Sequence, residues 1–296
     1  MKADLHMHGA IGFQDYWLKL QGYKQKMWRE GKNLLQLIVD QCFEKDIDVC
    51  TITSEEFEIP KGSVHDRIGY LEKQSMNLPR AYKFGKLGEN ILIINRNEKK
   101  IYLINGQTVV IKEDNERFDY LVIGSNQVPN QRNFKDTHTY CNDHNLIKIA
   151  EHPKAEHHFG MGFKRLKEQL EEYHAIEGHN AQMIIPKALA FLPKIGKYNK
   201  AVNEETIAFA KQHNKPYIAV SDAHDISGIG AAYMQFEEAL LNPANEQKFI
   251  ESLKNIITNR KFSTYEGYQK AMSWLKWTAQ FQWGITSYPR GVPEKC

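Results

Sequence analysis

Asp4-Leu5-His6-Met7-His8 closes a short run, Lys2–Met7, in which polar and apolar residues alternate. A period of two is the pattern of a half-buried strand, whose residues two apart face the same way. On that spacing Asp4, His6 and His8 share one face, with Leu5 and Met7 on the other. Two imidazoles aimed at one point suit a metal ion, and Asp4 would orient one of them from behind. Twelve histidines in 296 residues make a His-x-His pair cheap, and a lone histidine is as readily a core residue. The pair gains weight only in the company of further candidates at matching positions in the chain.

Three later pieces have the same placement. Glu151-His152-Pro153 comes after the apolar run Leu146–Ala150. Glu177-Gly178-His179-Asn180 ends a short strand beginning at His174, and Ser221-Asp222-Ala223-His224 comes after the strand Pro216–Val220. Each sits at the C-terminal end of a predicted strand, where α/β barrels gather their catalytic residues. Imidazole and carboxylate ligands suit Zn, Mn or Fe and leave positions open for water and substrate. Asp136-Thr137-His138 has similar content but no such strand before it, and reads as coincidence.

Between these pieces the chain alternates. Asn33–Lys45 has helical periodicity, and Ile47–Thr53 reads as a strand, giving the unit of an α/β fold. Residues 90–124 differ: Ile91–Ile94, Lys100–Ile104, Thr108–Ile111 and Tyr120–Ile123 are short β-type runs. The stretches 95–98, 105–106 and 113–115 supply turn residues between them, which predicts a hairpin inserted at about 86–130. Helices are expected over Gly162–Tyr173, over Glu204–Gln212 with Asn203 as its N-cap, over Glu246–Thr258, and over Tyr265–Gln282. In the last of these Trp274, Trp277 and Phe281 share one face, to pack on the core or to serve as a stacking platform. Trp17 and Trp28, just after the first motif, carry the same two readings.

Composition sets the class. A hydrophobic content of 42% and a charged content of 25% are those of a water-soluble globular chain. A net charge of +3 is too small to argue for nucleic acid by itself. The four cysteines are widely spaced, with no C-x-x-C pair, so neither a disulfide framework nor a thiolate zinc site is expected. With the motif beginning at Asp4 there is no room for a signal peptide, and no stretch reaches membrane-spanning length, so a cytoplasmic protein is expected.

The order and content of the four pieces resemble the polymerase and histidinol phosphatase (PHP) superfamily of metal-dependent phosphoesterases. Asp4–His8 resembles its opening motif, His152-Pro153 its later His-Pro, Glu177–Asn180 its Glu-x-x-Asn, and Ser221–His224 its closing Ser-Asp-x-His. The resemblance covers roughly residues 1–235. It implies a distorted seven-stranded β/α barrel over residues 1–260, with the β-hairpin insertion, and a C-terminal aromatic helix and tail over 261–296. It also implies two divalent metal ions, with one or three as the alternatives, held by His6, His8, His152, Asp222 and His224. Asp15, Glu55 and Asp119 are further ligand candidates. Glu55 stands where the family has a histidine, and Asp119 lies nearest to the place of another. The family's bridging Glu normally comes two residues after a Gly; here Gly106 leads to Thr108, which has no carboxylate. Restoring one there is expected to raise the metal count.

The implied reaction is hydrolysis of a phosphate monoester, a nucleotide or a nucleic-acid end, with His224, Asp222 and His152 as catalytic candidates. Lys154, Arg165, His179 and Asn180 are candidates for binding substrate, with Lys61, His157 and His158 as further phosphate partners. Two other readings stay open: a barrel that has lost hydrolysis and serves as a binding module, and an amidohydrolase-type deacylase, which also opens with His-x-His.

Overall fold

The structure, a computed structural model, describes residues 1–8, 31–54, 66–113, 116–156, 159–189, 191, 196–272 and 274–275. Its frame is a mixed sheet of eleven strands in which nine run in the order β11-β10-β1-β2-β5-β6-β7-β8-β9, with β3 and β4 attached beside β5. The strands are β1 (Lys2–Met7), β2 (Val49–Ser54), β3 (Tyr82–Leu87), β4 (Ile91–Arg96), β5 (Lys99–Glu113), β6 (Glu116–Ile123), β7 (Ile147–Ala150), β8 (Ala175–Asn180), β9 (Tyr217–Val220), β10 (Tyr233–Gln235) and β11 (Ser263–Tyr265). The chain beyond β9 closes the curve onto β1: Asp222 N–H donates to His6 O, His8 N–H donates to Ala223 O, and Met7 bridges Ala223. The result is a nearly closed barrel.

The strand count corrects the seven expected, and the cause lies in residues 86–130. Those residues do not stand apart from the barrel. β5 is one strand of 15 residues and runs straight through Asn105-Gly106, a pair whose turn propensity suggests a break. Gly106 is needed there for another reason: a Cβ would lie 2.4 Å from Thr51 Cγ2 and 3.1 Å from Val122 O. A glycine lets strands approach closely as well as turn. β5 pairs in parallel with β2 through its first half and antiparallel with β6 through its second, so one long strand joins two parts of the wall.

Helices cover the outside. α1 (Leu34–Lys45) starts at Asn33, whose side chain accepts from Gln36 N–H, and buries Leu34, Leu35, Ile38 and Cys42 against β2. α2 is Arg67–Gln74, α3 Phe134–Asp143, α4 Gly162–Glu168 and α5 Ala201–Gln212. α4 is shorter than the expected Gly162–Tyr173, because the chain tightens into a 3-10 turn at Leu170–Glu172. α6 (Glu246–Thr258) lies at the end where the parallel strands begin. Its Phe249, Ile250, Leu253, Ile256 and Ile257 join Ala3, Leu5, Val49, Ile104, Ile147, Ala175 and Ile218 in one apolar filling. That seals one end of the barrel with hydrocarbon and leaves polar chemistry to the other.

Tyr265 lies in β11, so the expected helix from Tyr265 starts later, at 271, and residues 276–296 lie outside the described residues. Trp274 is fully buried against Tyr198, Met183, Ile185 and Ala155, which is the core-packing reading. Trp17, Trp28, Trp277 and Phe281 lie outside the described residues.

Candidate metal centre

Two strands reach the open end through the same irregularity. On β1, Asp4 pairs with Cys50 and Met7 with Ile52, three steps against two. On β8, Glu177 pairs with Ile218 and His179 with Ala219, two steps against one. Each is a β-bulge, one extra residue that re-aims the side chains beyond it. On β1 the bulge separates Leu5, in the barrel filling, from Met7, which packs with Cys50 and Ile52 under α1. His6 and His8 thereby turn inward. Asp4 does not share their face as strict alternation implied. Its carboxylate accepts from Ser221 N–H (3.0 Å) and Gly230 N–H (2.9 Å), stapling β1 to the chain after β9. Burial pushes that carboxyl up to about 6 against these two bonds.

On β8 the bulge lets Glu177 and Asn180, three apart, face one site, while His179 turns away to Gly267 O (2.6 Å) and Tyr268. Gly178 is the residue accommodated, since a Cβ there would lie 2.7 Å from the Tyr217 ring. Asn203, expected as an N-cap, lies inside α5 and clamps this bulge instead. Its Oδ1 accepts from Asn180 N–H and its Nδ2 donates to Asn180 O. Nothing in a one-dimensional pattern separates a cap from a clamp of this kind.

The side chains that converge are His6, His8 and Asp222 in one group and Asp119, Glu151 and His152 in another, each with donor atoms within 4.8 Å of one another. His6 Nδ1–H donates to Glu177 Oε2 at 2.9 Å, which leaves Nε2 pointing inward. His8 Nδ1 lies 3.1 Å from Thr53 O, and Arg67, buried at the start of α2, donates to that carbonyl and lies 3.0 Å from the same nitrogen. The two Nε2 atoms are 3.2 Å apart, and Asp222 Oδ1 lies 3.2 Å from that of His8 and 3.7 Å from that of His6. Asn180 Nδ2 donates at 2.8 Å to both Glu177 Oε1 and Asp222 Oδ2 and holds the two carboxylates in register.

Burial works against a charge on His6, but Glu177, Asp222 and Glu151 outweigh it and hold its pKa well above the usual imidazole range. His152 is held at about 10 in the same way, chiefly by Glu151. Burial would raise Asp222, yet His6, His8 and His224 keep its carboxyl well below the ordinary value. Asp222 Oδ1 and Glu151 Oε2 are buried without a hydrogen-bond partner. Two imidazole nitrogens and a carboxylate oxygen facing one another, with acceptors left open, are the donor set of a divalent cation, which takes the place of the imidazole proton. The backbone bears the strain of this arrangement at two of the candidates: Asp222 (φ 47°) and His152 (φ 23°) sit in the left-handed region.

The remaining candidates separate. His224 stands outside both groups, its ring 4.2 Å from that of His8 and its Nδ1 2.7 Å from Gln182 Nε2. Lys154 pairs with Glu205 (3.2 Å), and Arg165 pairs with Glu116 (2.7 Å) over the Phe118 ring. Asp136 and His138 lie on α3, away from both groups. Asp15, Glu55, Lys61, His157 and His158 lie outside the described residues. Glu151 and Glu177 belong to the strand-end motifs, yet the motifs alone assign them no ligand role. The signal that could have found them is an acidic residue at a strand end beside a candidate histidine.

A family model described as PHP-associated matches residues 200–255, from the start of α5 into α6, and so includes Ser221–His224. No curated protein matches the chain. Among solved structures, PsfC from Pseudomonas syringae PB-5123 superposes with a TM-score of 0.57 at 14% identity, covering 97% of this chain and 98% of that one. A two-domain protein from Bacteroides vulgatus ATCC 8482, described as containing a predicted PHP-like metal-dependent phosphoesterase, superposes with a TM-score of 0.51 at 14% identity, covering 95% of this chain and 69% of that one. At such identities the likeness is one of fold. The segment at 200–255 thus resembles PHP-associated chains, and over most of its length the chain shares the fold of these two structures.

Proposed function

We propose that the protein is a metal-dependent phosphoester hydrolase. The observation that carries this is the convergence of the His6 and His8 Nε2 atoms on Asp222 Oδ1, beside Asp119, Glu151 and His152. Those six residues would hold two divalent ions. The chemistry such ions supply is polarisation of a phosphoryl oxygen and activation of water near neutral pH.

The chain's own groups do the rest. Glu177 fixes the tautomer of His6, and Thr53 O orients His8. Asn180, a candidate for touching substrate, acts instead by holding Glu177 and Asp222. Gln182 Nε2 donates to both Asp222 O and His224 Nδ1. Gln182 Nε2 and Asp222 O both meet His224 at Nδ1, at 2.7 and 3.1 Å, so Nε2 would be the atom that exchanges a proton with the reacting oxygens. Arg67 places a permanent positive charge beside His8 and balances the carboxylates. Lys154 and Arg165 are the outer candidates for the substrate phosphate, each held by a carboxylate that an incoming phosphate would displace. The substrate class is that of the family: a phosphate monoester, a nucleotide or a nucleic-acid end. Among the described residues no helix is long and apolar enough to cross a membrane.

The test is elemental analysis of the purified chain with hydrolysis of a chromogenic phosphate ester in parallel. About two divalent ions per chain, with activity lost to a chelator, are expected. Less than about half an ion per chain, with no activity after adding Mn or Zn, would overturn the reading in favour of a binding module.

A further inference from the structure

Thr108, where the family places its bridging carboxylate, is not an empty position. Its Oγ1 donates at 3.0 Å to Glu151 Oε1 from across β6. That same oxygen lies 3.5 Å from His6 Nε2 and 3.4 Å from His152 Nε2, and so stands between the two groups of candidate ligands. Glu151 is buried, and its second oxygen, Oε2, has no hydrogen-bond partner. A carboxylate bridges two cations through one oxygen or through both, and one neutral hydroxyl donor leaves its charge undiminished. Nothing else at position 108 supplies a negative charge.

We propose that Glu151 is the bridging ligand of the centre, a carboxylate moved from β5 to the end of β7, with Thr108 as the hydroxyl that orients it. The proposal rests on the two-ion reading above. It revises the expectation from sequence: a Glu at 108 added to the wild-type chain meets Glu151 as a like charge and adds no ion.

The test loads metal-free protein with Mn(II) and counts ions per chain after desalting. Electron paramagnetic resonance then reports whether the two ions are magnetically coupled, as a carboxylate-bridged pair about 3.5–4 Å apart would be. Wild type is expected to hold about two coupled ions. Glu151→Gln, nearly the same shape without the charge, is expected to retain about one ion and lose the coupling. The exchange variant Thr108→Glu/Glu151→Thr conserves composition and is expected to regain the coupled pair. Circular dichroism and thermal melting check that each variant folds. If Glu151→Gln fails to fold, Glu151→Asp decides: it keeps the charge but withdraws it by one methylene, and about a 10–100-fold weaker second ion is expected. Two coupled ions in Glu151→Gln, or an unchanged second ion in Glu151→Asp, would overturn the bridge and leave the phosphoesterase reading intact. A wild type that binds no ion would overturn that reading itself.

Discussion

Histidines stand at both ends of this barrel, buried at one and half-buried at the other, and their surroundings drive them in opposite directions. At the open end His6 and His152 sit among Glu151, Glu177 and Asp222 and are held protonated in the metal-free chain. At the sealed end His174 is pushed down to about 3, by burial first and then by Lys148, Lys254 and Lys215. Its Nδ1 accepts from Lys148 N–H at 2.9 Å, which the neutral ring alone can do. The same residue type is held charged among carboxylates at one end and fixed as a neutral acceptor among lysines at the other. Local charge sets the role, and burial alone does not.

The largest effect that would break this contrast is at Asp222. Asp222→Asn keeps the shape and removes the charge that the left-handed backbone presents to His6 and His8. It is expected to lower metal affinity and phosphoester hydrolysis by more than about 100-fold, measured by metal titration and turnover, while circular dichroism stays native. Retention of both would show that Asp222 is no ligand.

The next effect is on pH dependence, and it has opposite signs at the two ends. In chelated protein His152 has a folded pKa of about 10 against 6.5 for a free imidazole. Its contribution is fully present below 6.5 and is lost as pH rises through 10. His174 has a folded pKa of about 3, so the unfolded chain binds its proton first. Its contribution is full above 6.5 and is lost as pH falls toward 3. Urea midpoints in a chelator should therefore decline on both sides. His174→Asn, which keeps an acceptor for Lys148 N–H, should flatten the acid side only. A flattened alkaline side in that variant would show the two ends to be coupled.

The smallest effect concerns the seal. Asn245 caps α6 by accepting from Lys248 N–H at 2.9 Å. Asn245→Ala should cost about 1 kcal/mol, read from denaturant midpoints, and leave the metal count unchanged. A lost ion in that variant would mean that the hydrocarbon filling positions the ligands directly.

The same contrast explains what could be read from the sequence. The sealed end is built from local patterns. The apolar spacing of Leu34 to Cys42 and the bounds Glu246–Thr258 arise from residues near one another in the chain, and both were legible. The motifs His6-x-His8, His152-Pro153 and Asp222-x-His224 were legible as candidates, because their residue types are rare together at strand ends. The bulges were not. A bulge is defined by how a strand registers on its neighbour, and neither Asp4–His8 nor Glu177–Asn180 records the register of Cys50 or Ile218. Asn105-Gly106 misleads for the same reason: the demand on Gly106 comes from Thr51 and Val122. Glu151 lacks a legible role because the hydroxyl that orients it, Thr108, is two strands away.

The bulge on β1 divides a six-residue strand into two independent phases. Ala3 and Leu5 answer to the hydrocarbon at the closed end, and His6 and His8 answer to the candidate cation site, with one surplus residue absorbing the mismatch between them. Paired regularly, with no residue removed and no bulge, the same strand would keep Ala3 and Leu5 in place and swing both imidazoles out beneath α1. The regular strand would be the inactive one.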